Sequence, residues 1–304
     1  MAATCLQLYA CVAPTGIVWY AVNGSVPYSA GCTIDQFIQG LGDRPVYARC
    51  LGDTWNTPLV VALYDYCQYR GGRVEAVGPG RVGGPAETPA GAARTIYCMQ
   101  QAARARGPAG WRIVTQGEYV TYAIAARLGC HGFDGRVAEL LEQHPAWRSL
   151  CFVHGLAIPA VAMLLAEIVD PRWFADADNP DRVSRLFAFL GLCPRIQQRV
   201  YSHGGGTCKR ARRCTVVLQA WSSFPPQPET GGSTFLWRVR EAVGGGALGD
   251  LRASQRFILF LYHSWLAGLY AGDKSIDGSL FDPELFFKNS DELQGYSKML
   301  GVAD

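Results

Sequence analysis

The densest chemistry in this chain is a serine just ahead of three glycines and a run of cations: Ser202, Gly204-Gly205-Gly206, then Lys209, Arg210, Arg212 and Arg213. A hydroxyl on a backbone free of side chains can approach a reacting centre closely, and neighbouring cations stabilise the negative charge that develops there. A nucleophilic serine also needs an activating partner, and spacing identifies none. A loop serine before a flexible turn is therefore the plainer reading of the same residues. His203 is a lone histidine, and no GxSxG spacing of a nucleophile elbow occurs. Cys208 and Cys214 flank the basic run, but a zinc site would need a fourth ligand and tighter spacing.

Charge gives a second signal. No Asp or Glu lies between Asp181 and Glu229, whereas Arg182, Arg185, Arg195, Arg199, Lys209, Arg210, Arg212 and Arg213 do. A local positive field of that kind suits a polyanion such as nucleic acid, the plainer reading being a solvated face. The net charge of the 304 residues is only +3, so the placement of charge matters more than its sum.

The rest of the composition sets the frame. A hydrophobic fraction of 49% over 304 residues can supply cores for two domains. Eleven scattered cysteines without a CxxC pair imply reduced thiols and a cytoplasmic location. The first residues lack a basic leader followed by a sustained apolar core, so no signal peptide is expected. The apolar runs 160–168 and 257–270 are too short to span a bilayer, and no membrane association is expected.

The elements that must position these residues follow from periodicity. Two strands over 6–22 turn at Pro14-Thr15-Gly16, and a helix capped by Thr33 runs to Leu41. A buried strand over 46–48, a helix over 58–69 closing at Gly71-Gly72, and a strand over 73–77 complete an α/β order. A Gly/Pro-rich loop over 78–91 precedes a helix over 92–106, and Gly107-Pro108-Ala109-Gly110 reads as a linker. Beyond it the pattern turns helical: 115–128, 134–143, a helix from Ile158 closed by Asp170-Pro171, 182–190 stopped at Gly191, and 251–270. His154 and His263 sit in apolar runs and read as core or helix-face histidines. Trp147, Trp173, Trp221, Trp237 and Trp265 read as core rather than stacking platforms.

Several blocks in order resemble the insertion-sequence transposases related to the Piv DNA invertase, a guide-RNA-dependent class of DEDD recombinases. That family carries IPGxGxxxAxxLLAEIGDPxRF, a helix, YLGLxPR, a serine before glycines and a basic helix. The counterparts here are Ile158-Pro159, Leu164-Leu165-Ala166-Glu167-Ile168, Asp170-Pro171-Arg172-Trp173-Phe174, Phe189 to Arg195, Tyr201-Ser202-His203-Gly204-Gly205, and Lys209 to Arg213. Residues 49–72, with Trp55, Pro58-Leu59, Leu63 and Gly72, resemble the family's EATGxYWxPLxxxLxxxG stretch; residues 74–82 and 257–272 extend the likeness.

The resemblance implies an RNase H-like (RuvC-like) α/β domain over 1–106, a helical linker over 107–148 and a mostly helical transposase-type domain over 149–304. It makes Ser202 the nucleophile that joins DNA phosphate, and charge assigns nucleic-acid contacts to Arg195, Arg199, Lys209, Arg210, Arg212 and Arg213. It implies DNA as partner, a guide RNA, a homo-oligomer, and Mg²⁺ as cofactor if the protein is catalytic, because clustered carboxylates hold that ion against a scissile phosphate.

The acids themselves are missing from their expected places. Cys11-Val12-Ala13 stands where the first Asp belongs, Ala48-Arg49-Cys50 where the Glu belongs, and residues 86–92, with Glu87 alone acidic, replace KTDxxDA. Asp35, Asp53 and Glu87 are the candidate replacements; a turn role for Asp53 and a solvated one for Glu87 are the plainer readings. The hairpin has Ala160-Val161-Ala162 in place of Gly-x-Gly, which favours packing over phosphate contact. The sequence thus predicts a catalytically impaired nucleic-acid binder with no metal ligands. An active serine recombinase with relocated acids and a non-catalytic interaction protein are the alternatives.

Overall fold

A computed structural model describes residues 5–23, 28–29, 32–78, 88–105, 111–151, 157–174, 182–192 and 246–270. The chain divides into two compact units, Met1–Leu140 with Leu165–Asp170, and Leu141–Leu164 with Pro171–Asp304.

The first unit is built on a mixed sheet in the order β3-β2-β1-β4-β5-β6. Strands β1 (Leu6–Val12), β2 (Val18–Val22) and β3 (Tyr28–Ser29) run antiparallel in sequence; β4 (Val46–Leu51) and β5 (Gly72–Val77) run parallel to β1; β6 (Trp111–Ile113) closes the edge antiparallel to β5. The turn foreseen at Pro14-Thr15-Gly16 is closed by hydrogen bonds between Ala13 and Ile17 and from Gly16 to Ala13. Strand β4 runs three residues beyond the expected 46–48. Strand β6 follows the expected linker at 107–110, so the stretch expected to be helical begins with a strand of the sheet.

Because side chains alternate along a strand, the parallel trio presents two complete faces. Leu8, Ala10, Val46, Ala48, Cys50, Val74 and Ala76 share one face, all buried. Helices α1 (Ile34–Gly40), α2 (Thr57–Arg70) and α4 (Gln116–His131) lie on that side: Phe37 of α1 meets Tyr20 at 4.9 Å, and the Cys67 thiol of α2 reaches the Val46 carbonyl at 3.5 Å. The predicted Thr33 cap forms a full capping box with Gln36, and Glu118 accepts from the Thr115 N–H at the start of α4. Helix α3 (Pro89–Ala105) covers the other face, packing Ala92, Ile96 and Met99 onto Tyr9, Cys11, Leu51, Val77 and Trp111. Helix α5 (Gly135–Glu142) follows α4 through Asp134, whose carboxylate takes two bonds from Arg127 and one from the Val137 N–H.

Among the described residues the second unit is helical. Helix α6 (Trp147–Leu150), the first part of α7 (Ile158–Ile168), a 3-10 turn (Pro171–Trp173), α8 (Arg182–Leu190) and α9 (Gly246–Tyr270) make it up. Ala160, Val161 and Ala162 are buried, which fits the packing role read for the altered hairpin. Helix α7 ends in a left-handed residue, Val169 at φ 60°, before Asp170-Pro171. In α9, Gln255 donates to the Leu192 carbonyl at 2.8 Å, and the Trp265 and buried His144 rings meet edge-to-face with centroids 4.7 Å apart. His263 is partly buried on the same helix, and burial lowers its pKa, in keeping with a helix-face histidine. No described helix is long and apolar enough to cross a membrane.

Two glycines mark backbone approaches that exclude a side chain. At Gly72, φ is +120° and a Cβ would lie 1.9 Å from the Val46 carbonyl oxygen; at Gly268 a Cβ would lie 2.1 Å from the Pro145 oxygen. Gly72→Ala and Gly268→Ala should each lower unfolding stability by roughly 2–4 kcal/mol in denaturant titrations, the first through both strain and collision, the second through collision alone.

His144 Nδ1 accepts from the Ala146 N–H at 3.1 Å, which requires a neutral imidazole, and burial lowers its pKa to about 3 from 6.5. Below pH 6.5 the unfolded chain therefore binds a proton that the folded chain refuses. Stability should fall with pH between 6.5 and 5, above the carboxylate range, by at most about 1.4 kcal/mol per unit. His144→Phe should flatten that part of a pH series of unfolding curves.

Candidate functional site

Of the positions where a family carboxylate was expected, the first lies at the carboxyl end of β1, the second within β4 around Arg49, and the last pair around the start of α3, where the described residues 88–92 carry no acid. Cys11 ends up under α3, fully buried, and burial first, then the charge of Asp53, pushes its thiol up to about 12. Cys50 occupies the opposite face; burial, then Cys11 and Cys67, raise its thiol strongly. Both are protonated at neutral pH, and a dry thiol is neither a nucleophile nor a ligand.

Asp53, one of the candidate replacements, is held in a turn. Its Oδ1 accepts from the Asn56 N–H at 3.1 Å and from Asn56 Nδ2 at 2.6 Å, while Asn56 Oδ1 accepts from the Val12 N–H at 2.7 Å. The aspartate thus braces a buried asparagine that satisfies the last donor of β1, a turn role of the plainer kind. Asp35 is exposed in the first turn of α1. Among the described residues no group of three His, Cys, Asp or Glu could hold a metal ion. Glu87, Ser202, Arg195, Arg199, Lys209, Arg210, Arg212 and Arg213 lie outside the described residues, as do His154, His203, Cys208, Cys214, Trp221 and Trp237.

Arg49, which on sequence stood near the expected metal, has a different task. The parallel register sets Tyr9, Arg49 and Glu75 side by side, and Gln7, Tyr47 and Arg73 in the next row. Arg49 Nε bonds Glu75 Oε2 at 3.1 Å, and its two terminal nitrogens donate to the hydroxyls of Tyr9 at 2.6 Å and Tyr47 at 2.9 Å. Its guanidinium carbon lies 4.6 Å from the centre of the Tyr47 ring and 5.8 Å from that of Trp111. Glu75 is almost fully buried and also faces Arg73, whose NH2 is 3.5 Å from Oε1 and whose guanidinium carbon is 4.2 Å from the Tyr47 ring centre. Burial, then the Glu75 hydrogen bond, raises the Tyr47 pKa, so the phenol keeps its proton at neutral pH.

Sequence reasoning missed this cluster. Its only trace was a charge at every second residue in Arg73-Val74-Glu75, beside Tyr47-Ala48-Arg49; the alignment of the two strands decides that the pairs meet.

Taken together, the first unit is an α/β domain whose sheet carries a buried ion pair and a dry thiol, with no carboxylate cluster among the described residues. No protein-family model, curated protein or solved structure matches the chain.

Removing the Glu75 charge strands a guanidinium that is only 20% exposed. Glu75→Ala should cost roughly 2–3 kcal/mol, less than for a fully buried pair because Arg49 keeps some solvent. Adding Arg49→Met in the same chain should recover much of that loss in thermal or urea unfolding.

Proposed function

We propose that the chain is a nucleic-acid-binding protein related to the transposase and site-specific recombinase family, one that has lost metal-dependent strand cleavage. The single observation that carries the reading is the exchange at the end of β1 and within β4: a sealed thiol and an ion-paired arginine stand where phosphoryl chemistry would need carboxylates. A mixed sheet that opens with a hairpin and continues in parallel strands through helical crossovers supports an RNase H-like first domain. The left-handed backbone at Val169 supports the resemblance too, since the family block has glycine there and a β-branched residue tolerates that conformation poorly.

Binding rests on Arg195, Arg199, Lys209, Arg210, Arg212 and Arg213, whose charges would displace counterions from a phosphate backbone. DNA is the proposed partner, with a guide RNA as the second nucleic acid and a homo-oligomer as the assembly. Ser202 is retained as the position of the family nucleophile, without the acids that would make it productive.

The test is a covalent-capture assay with wild type and Ser202→Ala, in Mg²⁺ and in chelator, alongside binding to duplex DNA and analysis of co-purified RNA at two salt concentrations. The expected result is no protein–DNA adduct and binding that weakens by roughly a thousandfold between 50 and 200 mM salt if about six phosphates are engaged. An adduct that needs both Ser202 and Mg²⁺ would show an active recombinase. Association that ignores salt would point to a protein partner instead.

A further inference from the structure

At the amino ends of the parallel strands, away from Cys11 and Cys50, lies an open depression of about 390 Å³ lined by Cys5, Gln7, Tyr47, Gly72 and Arg73. The geometry points to a subsite there for one nucleotide of a single-stranded nucleic acid, which rests on the nucleic-acid reading above and adds a contact that the basic run does not supply.

Charge, plane and donor set all bear on that ligand. Two guanidiniums, Arg49 and Arg73, share one carboxylate, Glu75, so the cluster keeps a net positive charge. Arg49 is largely buried, at 20% exposure, while the Arg73 side chain is 54% exposed and has the longer contact to Glu75, 3.5 Å against 3.1 Å. The positive charge facing solvent is therefore that of Arg73. Its guanidinium carbon lies 4.2 Å from the Tyr47 ring centre, a contact that steadies the side chain as a flat cation.

Bases stack on guanidinium planes as well as on aromatic rings, and an arginine can meet a phosphate in its own plane at the same time. The Gln7 amide, exposed in the same depression, offers one donor and one acceptor group for a base edge. Gly72 lines the same depression beside Arg73. A duplex hides its base faces, so a stacking subsite of this kind favours a single strand.

Fluorescence anisotropy with a labelled single-stranded oligonucleotide and its duplex, on the full chain, tests the site. Arg73→Ala should weaken the single strand about tenfold and the duplex less than about twofold. Arg73→Lys, which keeps charge but loses the plane, should lose most of the same preference, and Gln7→Ala should lose part of it. Unchanged affinity in Arg73→Ala, or an equal loss on both oligonucleotides, would overturn the subsite.

A variant with Lys209, Arg210, Arg212 and Arg213 all changed to Ala separates this inference from the one it rests on. If it binds as wild type while Arg73→Ala still removes the single-strand preference, the subsite stands and the basic run does not. If it alone loses binding, the subsite falls and the basic run stands. No binding of either oligonucleotide by wild type removes both.

Discussion

Apart from Gln7, strand β1 is buried on both faces, and much of the first unit is arranged to make that possible. A strand paired with a neighbour on each side and covered on both faces has no solvent to satisfy its backbone or accept its polar side chains. The ladder to β2 and β4 takes its N–H and C=O groups, and the last donor, at Val12, is met by Asn56 rather than by water. Asp53 is held to that asparagine, which commits one of its carboxylate oxygens to closing the strand.

The same dryness explains the state of the position where a metal site would be expected. With α3 laid across Cys11, a carboxylate there would need cations or donors that the apolar neighbours Ile96, Met99 and Trp111 do not supply, whereas a protonated thiol needs none. Polar function is instead concentrated one row away on the same face, where Tyr9, Arg49 and Glu75 stand side by side. Tyr9, Tyr47 and Glu75 take up the donors of Arg49, each partner making the burial of the next tolerable. Removing a single member leaves the others with a desolvated group to satisfy, so the cluster behaves as one unit.

Local order was written plainly in the chain. The Pro14-Thr15-Gly16 turn, the Thr33 cap, the α2 terminus at Gly71-Gly72 and the stop at Gly191 all fall where turn and capping chemistry place them, because those signals act within a few residues. Strand β6 escaped notice because three residues carry no readable alternation; it exists because β5 has an open edge for Trp111–Ile113 to join. The ion-pair cluster escaped for a related reason. Arg49 and Glu75 are far apart in sequence, and only the pairing of β4 with β5 puts them opposite each other.

Composition and periodicity by themselves determined the α/β character of the first part, the helices of the second and the concentration of positive charge between Asp181 and Glu229. The places where acids were expected came from the family resemblance alone; that Cys11-Val12-Ala13 and Ala48-Arg49-Cys50 carry none is read from the sequence without coordinates. Tertiary structure alone decided what stands there instead: a thiol sealed under a helix, an aspartate held to a strand end, and an arginine turned to a glutamate on the neighbouring strand. Spacing within one element is a local property, whereas burial and cross-strand register come into being only when distant segments pack, and those set the ionisation of Cys11 and the partner of Arg49.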